Sequence, residues 1–547
     1  MRGALAILLP ALVQYSVQAQ APSPALARPK LIVVISVDQL SAELVQTYGS
    51  ELSGGLARLL REGVSFTETY HDHGFTETGP GHSVLLSGRF PAHTGIVENR
   101  WYDRATKRIT YCVEDPDATP LSGQGKASSN RWFLGEGLGD WLQAQVPGSR
   151  MFALSGKDRA AILMSGRKPT AAYWFAGAAG FTSSSAYAKV LPDWLKRHDT
   201  TLVDRLQQEA WVWTKTPGTP EGRVAQWTFG SVVVKNGALP RTIQLSGQPL
   251  DAAFEGRFRR SPFLDAITLE AAEALFEQER LGQGPGTDLL ALSFSATDYI
   301  GHGYGAHGTE MRDQLHRLDA LLSRLLARLE RQHPGTWVVL SADHGAWDVA
   351  EALAENGLPA RRLDPGAFQA ELNGALKAAF KLAKAPFRPT AEPQSLYLDE
   401  AAVATAGVDR AALLEAAKAW LKARPEVLAV CTAADLNAVE PAATGSPRDT
   451  SLTVLLRRSF HPERSGDLLI AYTPLTMWGG PPTDYAATHG SPHSYDRRVP
   501  LVFWGPWKGG PRREPVRTID LAPTLARELG LKVGTVDGKA LDLGPRK

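Results

Sequence analysis

Cysteine is almost missing from this chain: 547 residues carry two, Cys112 and Cys431. Two thiols can close at most one bridge, which excludes a disulfide framework and a four-cysteine zinc site. Excess charge is missing as well. The 59 basic and 57 acidic residues leave a net charge of +2, too small to mark a nucleic-acid partner. Beyond the N-terminus no apolar run approaches the roughly 20 residues of a membrane span, so no span is expected in the mature chain. With 43% hydrophobic and 21% charged residues, disordered and fibrous classes are excluded too.

What is present begins with a leader. Arg2 precedes the apolar stretch Ala4 to Val13, and Val17-Gln18-Ala19 forms a small–x–small cleavage pattern. Residues 1–19 read as a secretory signal, so the protein is expected to be exported, periplasmic or extracellular. The Pro/Ala-rich stretch 20–29 reads as a linker.

Three short apolar runs share one design. Leu31 to Val37 ends at Asp38, Leu289 to Ser295 ends near Asp298, and Trp337 to Ala342 ends at Asp343-His344. Such runs read as strands buried on both faces of a helix-covered parallel sheet. Between the last two, Met311, Leu315, Leu318, Leu322, Leu325 and Leu329 step by three and four, which predicts an amphipathic helix and hence a βαβ unit. Ligands gather beyond the carboxyl ends of strands in such sheets. The stretch 160–285 reads as an irregular cap. Within 350–480, helices over Ala367–Lys381 and Arg410–Lys422 alternate with strands over Ser395–Leu398, Val427–Cys431 and Asp467–Tyr472, the pattern of a small α+β insertion.

The chemistry-bearing residues cluster at the strand ends. Asp298 and His302 are four apart, so one helical turn can aim both at one ion. Asp343 and His344 are adjacent where the chain turns and can diverge. Asp38 follows a third strand, and His489 lies in a late Thr-His-Gly-Ser segment. Carboxylate and imidazole donors without thiolate suit zinc, manganese or iron. Alone, an Asp after a strand is usually a helix cap or turn residue; three such ends plus a His-Gly segment are harder to dismiss. Thr78, followed by Gly-Pro-Gly-His82, sits where an apolar helix begins. It is either that helix's cap or a hydroxyl activated by the local field and a metal. His71, Asp72 and His73 read as an approach loop, His82 as a supporting residue, and Tyr173 and Trp174 as core or cleft lining.

Together these motifs resemble the alkaline phosphatase superfamily, in its chain order. Within it they most resemble the secreted, phosphate-irrepressible alkaline phosphatases with a Thr nucleophile, whose pattern adds an Asn, here Asn99, and a Lys-x-Arg, here Lys157-Asp-Arg159. The resemblance implies an α/β/α sandwich with a largely parallel central sheet, a core split over 30–160, 285–350 and 480–547. It also implies two zinc ions per chain: Asp298, His302 and His489 would hold one, and Asp38, Asp343 and His344 the other, with Thr78 as its open-site ligand. Asn99, Lys157 and Arg159 would bind the non-bridging oxygens of a small-molecule phosphate monoester. Nucleotide phosphodiesterases of the same superfamily are the alternative, disfavoured by Lys157 and Arg159. Sulfatases need Cys or Ser at position 78. An exported metal- or phosphate-binding protein without turnover is the remote alternative.

Overall fold

The computed structural model describes residues 28–229, 232–390, 392–442, 444–479 and 485–547; the leader and the linker up to residue 27 lie outside the described residues. Its apolar runs become neighbours. Trp337–Ser341, Leu31–Val37, Asp288–Phe294, Arg150–Ser155 and Ala171–Phe175 lie side by side in that order, all parallel. They form the middle of a ten-stranded sheet, continued beyond Trp337–Ser341 by Arg498–Trp504, antiparallel to both its neighbours, and then Val64–Tyr70.

Alternation along each strand serves two cores. Leu31, Val33, Ile35 and Val37 face a layer that includes helices Gly55–Glu62, Phe263–Gln278 and Thr309–Gln332. Ile32 and Val34 face the opposite layer, with helices Leu138–Gln145 and Leu521–Glu528. The chain is an α/β/α sandwich. All six stepped apolar residues of Thr309–Gln332 are buried.

The stretch read as an irregular cap contributes more to the sandwich than expected. Ala171–Phe175 and Phe181–Thr182 are strands of the main sheet, because an aromatic, apolar run buries well at a sheet position. The irregular part is the region of short two-stranded ladders, Trp211–Trp213 with Arg241–Gln244 and Ala225–Phe229 with Val232–Asn236. Further on, Ser395–Leu396, Leu468–Tyr472 and Val427–Thr432 make a separate three-stranded sheet. It packs with helices Pro365–Phe380 and Arg410–Lys422 around a core of its own. Cys112 and Cys431 are both buried and unbridged. Among the described residues no helix is long and apolar enough to cross a membrane.

Helix Gly55–Glu62 has no side-chain cap of its own. The Asp319 carboxylate, on the long helix, accepts hydrogen bonds from the amides of Ser53, Gly54, Leu56 and Ala57. Each buried amide left without a partner costs about 1–3 kcal/mol. Asp319→Ala should therefore lower the thermal unfolding midpoint by several degrees, while metal content measured by elemental analysis stays parental.

Candidate active site

Ser155, Ser293, Ser36 and Ser341 stand in register across four central strands. Two residues past three of these serines come Lys157, Asp38 and Asp343, so all three emerge at one carboxyl edge. Past Ser293 the chain turns into helix Ala296–Tyr304, whose first amides donate to Asp265 (Ser295 N, 2.8 Å; Ala296 N, 2.9 Å). That helix presents Asp298 and, one turn on, His302. His489 arrives from the late loop.

Two groups of donors converge. In the first, Asp298 Oδ1 lies 3.3 Å from His302 Nε2 and 3.4 Å from His489 Nε2. The second brings together Asp38, Asp298 and His344. Each imidazole has its Nδ1 on a backbone carbonyl: His302 on Ala487 (2.8 Å), His344 on Gly345 (2.9 Å), His489 on Thr76 (2.8 Å). A carbonyl only accepts, so Nδ1 carries the hydrogen and the Nε2 lone pair faces the site, as in metal-ligating histidines. Burial holds the pKa of His344 and of His489 below the ordinary histidine value, which keeps these rings neutral. Asp38 Oδ1 is buried without accepting a hydrogen bond, Asp38 Oδ2 faces only the Lys157 ammonium, and Asp343 Oδ2 faces only the imidazoles of His82 and His344. Oxygen and imidazole donors with such unsatisfied carboxylates fit divalent cations.

The charge of these carboxylates is met by Lys157. Its ammonium lies 2.6 Å from Asp38 Oδ2 and also pairs with Asp298. Burial alone would lower the Lys157 pKa, but Asp298 and Asp38 outweigh it and raise the pKa. Lys157, expected at phosphoryl oxygens, faces carboxylates, because it is the cation nearest to two buried anions. Asp343, expected beside Asp38 and His344, lies just outside the tight group, though its Oδ2 is 3.2 Å from His344 Nε2. Its oxygens face other neighbours: the amides of Gln39 and His344 donate to Oδ1, and His82 Nδ1 lies 3.1 Å from Oδ2.

Thr78 is the first residue of helix Thr78–Leu85, and Glu77 is the residue at the cap position. The Thr78 hydroxyl makes no bond to the helix's own amides; it lies 3.1 Å from Arg159 Nη2 and 3.4 Å from His344 Nε2. The cap reading therefore fails. The Gly-Pro-Gly run has steric reasons. A Cβ on Gly81 would come within 2.0 Å of the Asp343 carbonyl oxygen, and one on Gly79 within 3.0 Å of Cys112 Sγ. Asn99 Oδ1 accepts from the Gly79 amide (2.8 Å), which leaves its amide nitrogen as the donor end. Beside Lys157 and Arg159 opens a cleft of about 470 Å³, lined also by Tyr111, Trp174, Arg259 and Tyr299. Trp174 lines it, whereas its neighbour Tyr173 turns to the other face and packs on Trp194.

Several supporting residues carried no sequence signal. Tyr111 accepts from Arg159 Nη1 (3.2 Å) and donates to Asp158 (2.6 Å). Glu77 accepts from the Asn99 amide (2.6 Å) and from Gln394 Nε2 (2.8 Å), and burial pushes its carboxyl up to about 7. Asp496 accepts from Gly490 N (3.1 Å), Ser491 N (2.8 Å) and the Ser491 hydroxyl (2.6 Å), while its carbonyl accepts from Gly345 N (2.7 Å). It thus ties the His489 loop to the Asp343-His344 turn. His82, read as a supporting residue, bridges the Thr78 carbonyl (2.9 Å) and Ser293 (3.0 Å). The proposed approach loop is instead interior. His71, Asp72 and His73 are buried, and Asp72 pairs with Arg458 (2.5 Å), Arg517 (2.6 Å) and Arg497 (3.2 Å). The same guanidiniums donate to carbonyls of Pro441, Ala442, Thr444, Gly445 and Pro447.

A parallel sheet carrying two carboxylate–imidazole groups and a helix-borne hydroxyl at its carboxyl edge is the architecture of the alkaline phosphatase superfamily. Within it the chain belongs to the type I phosphodiesterase / nucleotide pyrophosphatase family, which residues 32–406 match. It is 36% identical over 525 residues to alkaline phosphatase PhoD of Zymomonas mobilis, covering 94% of this chain and 88% of that protein. Alkaline phosphatase PhoK of a Sphingomonas species is 37% identical over 538 residues, covering 96% and 92%. Among solved structures, wild-type alkaline phosphatase PafA matches with a TM-score of 0.82 at 27% identity, covering 94% of this chain and 99% of that one.

The contact between Gly81 and Asp343 is testable. A methyl group there must push the Thr78 helix off the Asp343 backbone, and overpacking of this kind costs about 1–3 kcal/mol. Gly81→Ala should unfold at lower temperature and retain less metal after dialysis. Parental stability and metal content would show that the two backbones do not touch.

Proposed function

We propose that this protein is an exported alkaline phosphatase, a metal-dependent phosphoric monoester hydrolase that passes the phosphoryl group to Thr78 and then to water. One observation carries the reading: the Thr78 hydroxyl, free of any capping bond, lies between Arg159 and His344, a member of the second donor group. The names of its relatives support it, and the leader read from the sequence supports export. Asp298, His302 and His489 would hold one divalent ion and Asp38, Asp343 and His344 a second, zinc in both cases. Bound there, the pair would supply Lewis acidity for the attacking hydroxyl and for the charge leaving phosphorus.

The chain's own residues account for the remaining steps. Thr78 Oγ attacks phosphorus as its hydroxyl proton passes to solvent, and the ester oxygen departs as an alkoxide that solvent protonates. Water then attacks phospho-Thr78, releasing inorganic phosphate and restoring the hydroxyl. The head of helix Thr78–Leu85 favours the oxyanion at its first residue. Arg159, steadied by Tyr111, offers a guanidinium fork to non-bridging oxygens, and Asn99 adds one neutral donor. Lys157 is assigned to the same oxygens once Asp38 and Asp298 no longer need its charge. A dianionic monoester gains from two such cations, whereas a diester carries one charge fewer and a second substituent. The family's description favours diester hydrolysis as the competing reading.

Paired rates on phenyl phosphate and on a phenyl diester separate the two. Replacing Lys157 and Arg159 with Ala should lower the monoester rate by roughly one to two decades per residue, at about 1.5–3 kcal/mol per charged contact, and the diester rate far less. An equal loss on both would overturn the monoesterase reading. Chelation should abolish turnover and zinc should restore it.

The nucleophile has its own test. Thr78→Ser should keep substantial activity, while metal-loaded Thr78→Ala loses several decades. Rapid quenching should trap phosphate on Thr78 in the parent alone. A Thr78→Ala protein near the parental rate would end the covalent mechanism.

A further inference from the structure

Just past the central strand, the chain runs through left-handed backbone at a residue that is not glycine. Asp38 continues the strand ladder, its amide donating to the Phe294 carbonyl (2.9 Å), and Gln39 follows with φ +67°. Leu40 N to Val37 O (3.1 Å) and Ser41 N to Gln39 O (2.9 Å) close the turn. Steric crowding of Cβ makes glycine the favoured residue for such a conformation. A glutamine kept there needs a reason in its side chain.

The side chain supplies one. Gln39 is buried, and its Nε2 donates to Asp298 Oδ1 at 3.0 Å. A carboxylate only accepts, so the NH₂ end of the amide must face it. The backbone N–H of the same residue donates to Asp343 Oδ1 at 3.1 Å. One residue therefore holds a carboxylate from each of the two proposed ligand sets. The facing helix leaves room for this reach: a Cβ on Gly301 would come within 1.7 Å of Gln39 Oε1 and would push the amide out of this position. The oxygen that Gln39 holds is also the one that faces His302 and His489, whereas Lys157 pairs with Asp298 Oδ2. Gln39 thus anchors the first set without neutralising it.

We infer that, given the two-ion reading of the site, Gln39 is a positioning residue whose side chain fixes Asp298 in the first ligand set, while its backbone N–H rests on Asp343 of the second. It touches neither the hydroxyl of Thr78 nor its partners. Its effect is on how tightly an ion is held at Asp298, His302 and His489.

Two variants isolate the side chain. Gln39→Gly suits the left-handed backbone and keeps the N–H to Asp343, but removes the bond to Asp298. Gln39→Asn also tolerates this conformation and retains an amide, one carbon too short to reach. The full-length parent and both variants are titrated with zinc in metal-buffered solution, with ions per chain counted by elemental analysis. Thermal unfolding of the chelated proteins is recorded alongside. The parent should take up two ions. In both variants one ion should bind 10–100-fold more weakly, the usual cost of losing a residue that orients a metal ligand. The other should stay within about threefold of the parent, and chelated Gln39→Gly should unfold no earlier than the chelated parent. Parental affinity at both sites in both variants overturns the inference. So does an equal loss at both sites accompanied by destabilised chelated protein, which would make Gln39 a plain turn residue. A parent that binds fewer than two ions overturns the two-ion reading itself, a result separable from either of these.

Discussion

Three carboxylates share one dry space at the carboxyl edge of the sheet, and the rest of the site is arranged around their repulsion. Asp38, Asp298 and Asp343 are all buried. At an effective dielectric near 20, two such charges 4 Å apart repel by about 4 kcal/mol. Burial and the two neighbouring carboxylates drive the Asp38 pKa well up. For Asp298, burial pulls the same way, but in the metal-free site His302, in its protonated form, and Lys157 outweigh it and hold the carboxyl well below its ordinary range. The polypeptide alone offers one ammonium against three acids. Any cation that binds the folded edge and not the unfolded chain therefore stabilises the fold by mass action. Folding and loading are linked equilibria here.

Much of the frame could be read from spacing. Apolar runs that end in Asp became parallel strands because nothing charged interrupts them before the edge, and the leucine steps of Thr309–Gln332 became a buried stripe. The candidate ligands were legible for the same reason: each sits at a fixed distance past a strand or one turn along a helix. Pairing across the chain was not legible. Nothing in the sequence around Lys157 says that its ammonium will lie against Asp38, which is 119 positions away, because that contact is set by the order of strands. Tyr111 acts through hydrogen bonds to Asp158 and Arg159, and Asp496 reaches the Asp343-His344 turn through its backbone carbonyl, contacts that no local pattern marks. The strand Ala171–Phe175 was missed because its aromatic residues read equally well as the lining of a cap.

The arginines around Asp72 set the limits of modularity in this chain. Arg458 comes from helix Leu452–Ser459 of the inserted region, while Arg497 and Arg517 come from the core. Three guanidiniums on one carboxylate leave surplus positive charge in the interior. It is tolerable because carbonyls between Pro441 and Pro447 absorb the remaining donors. The region that looks most like a cassette, with its own sheet and its own core, is wired into the sandwich in part through the electrostatics of one buried aspartate. Exchange of that region between relatives, in nature or by design, has to carry the arginines, the aspartate and the carbonyl-bearing loop together.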